Sequence, residues 1–229
     1  MKFTSVARLF PEVCPRCRGA TERGFCGGCS ADFAVVPDPC ARCGLPRPVT
    51  RCPRLDNPWH VGAIVAPFRY CVPLHHHVHA LKFNRVRKLG RAFGLLLAER
   101  LGSLCEGIDG LVPVPMHPER VCRRGYNQAT EIARSVAAEL SVPLMIRGVR
   151  RFGGAPPQTA LDARHRLKNL EGAFAVERSL QGLKLAIVDD VITTGATVNS
   201  LARSLRAAGA EIPAAWAVAR TLSEKRNRG

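Results

Sequence analysis

The chain has 229 residues, 46% of them hydrophobic, and a formal net charge of +16. That length supports one sizeable core with a small satellite and excludes two full α/β domains. No stretch approaches the roughly 18–20 continuous apolar residues of a membrane span, so no membrane insertion is expected, and residues 1–13 lack the apolar run and cleavage site of a secretory signal, which points to a cytoplasmic protein.

Seven of the ten cysteines fall between Cys14 and Cys52. In a reducing compartment, Cys-x-x-Cys pairs read as metal binding and not as disulfides. Cys14-Pro-Arg-Cys17 and Cys26-Gly-Gly-Cys29 are two knuckles eight residues apart, and four thiolates at such spacing make a closed, structural zinc site. Cys40, Cys43 and Cys52 form a second, incomplete set, because Leu55 stands where a fourth thiolate would follow. Either His60 completes that set or the site has decayed. Composition changes near residue 60, so residues 1–60 are expected to form a zinc-ribbon module and residues 61–229 an α/β domain.

Within the α/β part, residues 61–68 (VGAIVAPF) read as a strand. The run His75, His76, His77, His79 reads as a solvated helix start, since no cysteine or carboxylate stands at ligand spacing nearby. Leu89, Phe93, Leu96, Leu97, Leu101 and Leu104 recur at helical spacing. Residues 111–115 (LVPVP) are a short strand ending in an Arg- and Gly-rich loop, and Ala129, Ile132, Ala133, Val136 and Leu140 mark another amphipathic helix. Residues 151–172 read as a long polar loop, of a length that is commonly a functional lid. A buried-type strand over residues 184–188, a helix from Val198 to Ala208 closed by Gly209, and a last strand over residues 212–218 complete the pattern. Strands alternating with helices imply a mostly parallel sheet covered on both faces.

The segment LAIVDDVITTGAT at 185–197 carries the sharpest chemistry. A helix N-terminus offers unpaired N–H groups and partial positive charge to a phosphate. Gly195 lets the backbone approach the anion, and Thr193, Thr194 and Thr197 add hydroxyl donors. Asp189 and Asp190 repel a phosphate but suit a sugar diol and a Mg²⁺ ion. Phosphate at one end and diol at the other describe a ribose 5-phosphate. Upstream, His117, Arg120, Arg123 and Arg124 crowd around Gly125 with Asn127 and Gln128 as amide donors, a set suited to a diphosphate or to a solvated basic helix start. Residues 151–172 add Gln158, Arg164 and Arg166, the makings of a charge-neutralising lid or of an ordinary basic loop.

The segment at 185–197 closely resembles the PRPP-binding motif of type I phosphoribosyltransferases. The cysteine-rich start, His79-Ala-Leu-Lys82-Phe, VPVPMHPERVCRRGYNQA at 112–129 and PPQTALDARHRLKNLEGAF at 156–174 extend the resemblance, in order, to the ComF-like proteins linked to competence and DNA uptake. It implies a type I phosphoribosyltransferase fold behind a double zinc ribbon. It implies that Asp189 and Asp190 bind the ribose hydroxyls at the catalytic centre and that residues 193–197, with Gly195 and Ala196 among them, hold the 5-phosphate. It further implies that the 112–128 loop binds diphosphate, that 151–172 is a mobile hood, and that Mg²⁺ accompanies PRPP; Lys82 lies in a shared motif, in either a structural or a phosphate-contacting role. Two functions follow as expectations: Mg²⁺-dependent phosphoribosyl transfer on a nucleotide, or non-catalytic handling of single-stranded DNA, with a DNA-uptake helicase as a docking partner. The positive charge fits a nucleic-acid or phosphate-rich partner as well as plain solubility.

Overall fold

The computed structural model describes residues 12–48, 52, 59–152 and 173–222. At its start, β1 (Glu12–Val13) pairs antiparallel with β2 (Ala20–Thr21), and a single helical turn, α1 (Gly27–Ala31), follows. The main domain runs β3 (Ala63–Val65), β4 (Phe68–Arg69), α2 (Leu74–Phe83), α3 (Lys88–Leu101), β5 (Gly110–Pro113), α4 (Pro118–Arg124) and α5 (Gln128–Leu140). It continues through β6 (Val149–Arg151), β7 (Phe174–Val176), β8 (Lys184–Ile192), α6 (Ala196–Ala207) and β9 (Glu211–Arg220). The central sheet is parallel, ordered β3–β9–β8–β5, with β4 also paired to β9.

Why the sheet is buried on both faces is visible in its alternation. Successive side chains of a strand point to opposite faces. In β8, Ala186 and Val188 join the core under α2, α3 and α5, while Leu185 and Ile187 join the core under α6. In β9, Trp216 and Val218 take the first face, Ala215 and Ala217 the second. Continuous apolar runs are what a parallel strand covered on two sides requires.

The expected strand over 61–68 is broken in two. Pro67 has no N–H to donate to a ladder, and its carbonyl instead accepts from the N–H of Val36 at 2.8 Å, next to an Arg69 N–H bond to Ala34 at 2.7 Å. The cysteine-rich segment thus fills the gap it finds there. It also lacks a core of its own and borrows one: the Phe25 ring lies 5.2 Å from Phe93 and Phe33 lies 6.0 Å from Phe68. Ion pairs Arg91–Glu12 and Arg23–Glu139, each 2.6 Å, flank this apolar contact.

The histidine run lies inside α2 and is only partly solvated, since the His77 ring sits 5.7 Å from Phe25. Helices α3 and α5 approach closely because α3 presents glycine: a Cβ on Gly94 would stand 2.5 Å from the Ile132 carbonyl oxygen and the Ser135 Cβ. Arg151, expected to open the long loop, belongs instead to the antiparallel β6–β7 pair, and residues 153–172 of that expected loop lie outside the described residues. Gln158, Arg164 and Arg166 lie outside the described residues. Among the described residues no helix is long and apolar enough to cross a membrane.

Candidate active site

Parallel strands end at a common edge, and ligands of open α/β sheets bind outside their carboxyl ends. The expected strand at 184–188 runs on to Ile192, held extended by β9 through Asp189↔Ala217, Val191↔Ala219 and Ile192↔Arg220. Both aspartates therefore sit on rigid backbone. Asp190 N–H donates to Asp189 Oδ1 and Val191 N–H to Asp190 Oδ1, each at 2.8 Å. Gly195 follows at φ +83°, a left-handed conformation that glycine adopts without Cβ strain, and it caps α6. The Trp59 ring covers this turn, 2.4 Å from where a Cβ on Gly195 would stand.

Lys82, on α2, places its Nζ 2.7 Å from Asp190 Oδ2. Burial opposes the ammonium charge, but Asp190 and then Asp189 outweigh it and raise the Lys82 pKa. Asp189 lies deep in the fold while keeping part of its surface on the cleft. Burial and the neighbouring Asp190 push its carboxyl well above the ordinary range, with Lys82 pulling the other way.

These groups line a cleft of about 290 Å³. Its lining combines Asp189, Asp190 and Thr197 with Lys82, Arg120, Arg124 and Arg151 and the amides of Asn127 and Gln128. Burial lowers the Arg124 pKa, with Asp190 opposing and Arg120 and Arg123 adding to the fall. Burial likewise lowers that of Arg151, reinforced by Arg120. Cations crowded together at that cost suit an anion. The local scaffold is firm: Asn127 caps α5 by accepting from the Ala129 N–H at 3.1 Å while its Nδ2 donates to the Val114 carbonyl at 2.9 Å.

Of the other expected groups, Arg123 is exposed and uses its carbonyl to accept from Arg85. His117 faces an adjacent, largely apolar cavity of about 430 Å³ with Met116, Met145, Ile146 and Phe152. Arg151, a basic residue of the expected 151–172 hood, lines the main cleft, and so does Phe83, which had not been singled out as a site residue. Trp59 and Arg220 touch the 193–195 turn and carried no sequence signal beyond, for Arg220, a lone cation closing the apolar run of a last strand.

The sulfurs of Cys14, Cys17, Cys26 and Cys29 all lie within 4.8 Å of one another. The Cys17 and Cys26 sulfurs are 3.7 Å apart, matching the roughly 3.8 Å edge of a tetrahedron with ~2.3 Å zinc–sulfur bonds. Burial works against ionising Cys14, yet N–H groups of Cys17, Cys26 and Arg16 lower its thiol pKa to about 6; burial and the neighbouring thiols push Cys29 up to about 12. Four crowded thiols cannot all ionise without a cation among them, so the group could hold a metal ion, as in a zinc ribbon. In the second set, Cys43 interacts with both Cys40 and Cys52. His60 has its backbone beside α6: its N–H donates to Asn199 Oδ1 at 2.7 Å, and Arg206 and Arg203 are the charges acting on its ring.

Comparison with known proteins agrees with this layout. Residues 123–228 match the phosphoribosyl transferase domain family. The DNA utilization protein YhgH of Escherichia coli (strain K12) is 35% identical, over 93% of this chain and 98% of its own length. Competence protein F of Haemophilus influenzae is 30% identical over 90% and 96%, and competence protein ComFC of Streptococcus pneumoniae 26% over 82% and 83%. Similarity that spans the cysteine knuckles and the sheet alike means that the chain belongs to the ComF family of phosphoribosyltransferase-domain proteins.

Proposed function

We propose that the cleft binds PRPP with Mg²⁺ and transfers its phosphoribosyl group to a nitrogen acceptor, in the service of DNA uptake or utilisation. One observation carries the reading: two carboxylates near the end of β8 and Thr197, in the first turn of α6 after Gly195, line one cleft together with Lys82, Arg120, Arg124 and Arg151. Thr193 to Thr197 would hold the 5-phosphate through N–H and hydroxyl groups, and Asp189 and Asp190 the ribose hydroxyls. Arg120, Arg124 and Arg151 would hold the diphosphate, with the hood residues Gln158, Arg164 and Arg166 closing over it. Mg²⁺ would neutralise diphosphate charge as the ribose C1–O bond breaks with its electron pair on the departing oxygen. The acceptor nitrogen's lone pair then forms the new C1–N bond. Cys14, Cys17, Cys26 and Cys29 would hold zinc, with Cys40, Cys43 and Cys52 as a partial second set.

Titration calorimetry with PRPP and Mg²⁺ tests this. Asp189→Asn combined with Asp190→Asn should abolish the binding heat while the thermal melt stays cooperative; unchanged affinity in that variant refutes the site. A second reading, non-catalytic handling of single-stranded DNA, draws on the net charge of +16 and on the DNA-related names of the relatives. It predicts steeply salt-dependent DNA binding without a PRPP signal, unaffected by the two Asp→Asn changes.

A further inference from the structure

Arg220 ends β9 and is 1% exposed. A buried guanidinium is costly unless its donors are met and its charge is balanced. Here Nε donates to the Cys43 carbonyl at 3.1 Å, and Nη1 donates to the Ile192 carbonyl at 2.8 Å and to the Thr193 carbonyl. One side chain thus joins the second cysteine knuckle to the start of the 193–197 turn. Burial lowers the Arg220 pKa.

The peptide units that Arg220 holds are trans. In a trans peptide the N–H points opposite to the C=O. Turning the Ile192 and Thr193 carbonyls inward onto the guanidinium therefore turns the Thr193 and Thr194 N–H groups outward. The guanidinium charge also sits directly behind the turn, where it adds to the positive end of α6. The Trp59 ring packs on Gly195, and His60 N–H is tied to Asn199 of α6.

We propose that Arg220 is a positioning residue of the phosphate turn: it aims the Thr193 and Thr194 N–H groups at an anion and ties that turn to the Cys40–Cys43 knuckle. The cysteine-rich segment is then part of the anion site's support and not a separate appendage. The proposal rests on the phosphate-binding role of the turn given above.

The test uses the full-length protein with Arg220→Lys, which keeps the charge but loses the fork, and Arg220→Met, which loses both. Two measurements are made on each: affinity for PRPP with Mg²⁺ and for inorganic phosphate, and amide hydrogen exchange. The expected result for Arg220→Lys is a loss of about tenfold in affinity for both probes, the scale of a charge-assisted hydrogen bond. Exchange should rise at residues 190–197 and 40–46 together, and stay unchanged in α3 and α5. Wild-type affinity with unchanged exchange at 190–197 overturns the proposal. So does a rise in exchange throughout the chain with affinity falling only in step, since that is a merely structural role. If wild-type protein ignores both anions, the phosphate reading itself fails; paired protection changes at 190–197 and 40–46 still decide the bridge.

Discussion

Among single residues, Gly195 has little freedom to change. Its φ of +83° is unfavourable for any L side chain by roughly 1–2 kcal/mol, and a Cβ would meet the Trp59 ring at 2.4 Å. Gly195→Ala should lower the melting temperature and weaken PRPP binding. Adding Trp59→Ala should recover the part owed to the clash and leave the part owed to φ; full recovery would show that the left-handed turn is dispensable. The glycine and its threonines were legible in the sequence, because a Thr/Gly turn between an apolar strand and a helix has few other uses. The Lys82–Asp190 pair was not. The two residues are 108 positions apart, and no local pattern states which helix comes to rest over which strand end. Lys82 shares a motif with His79, yet its partner is set by the packing of α2 on the sheet.

At the level of elements, the helices were the most readable part, since an apolar stripe at period 3.6 survives whatever it packs against. α5 and α6 lie where the spacing puts them; α3 stops at Leu101, leaving Leu104 exposed in the turn beyond, and α4 (Pro118–Arg124) stands where an Arg- and Gly-rich loop was expected. Strand ends were less readable: β8 outlasts its apolar run by four residues because ladder pairing with β9, a non-local interaction, keeps Asp189 to Ile192 extended. Close helix contact leaves a sequence trace only as glycine. Gly94 on α3 meets the α5 backbone, so Gly94→Ala should destabilise the protein by about 2 kcal/mol in denaturant melts, the scale of an overpacked core. Gly28→Ala, where a Cβ meets open space, should stay within about 0.5 kcal/mol. Equal effects of the two changes would show that the α3–α5 approach is not limiting.

For the molecule as a whole, the cysteine-rich segment and the α/β domain share one hydrophobic core, in which Phe25 and Phe33 pack with Phe68 and Phe93. Metal held by the four-thiol group should therefore stabilise more than its own knuckles. A strong chelator is expected to free four thiols to a colorimetric thiol reagent, lower the melting temperature and raise binding of a hydrophobic dye as those rings loosen, while far-ultraviolet dichroism of the parallel sheet persists. An unchanged melt after complete metal removal would show that the shared core holds without it.

Reading residues alone, one could state the chemistry of each part: thiol pairs for a metal, an acidic pair and a Thr/Gly turn for a ribose phosphate, arginines for a diphosphate, and strands alternating with helices for a parallel sheet. Those properties are carried by neighbours in the chain, within the reach of one turn or one strand. Which arginines face the cleft, that Lys82 meets Asp190, that Trp59 covers Gly195 and that Arg220 joins the knuckle to the turn depend on contacts between segments far apart in sequence. They follow from how β9 and α2 lie beside β8, because a buried charge can be satisfied only by whatever carbonyls and anions the packed chain brings to it.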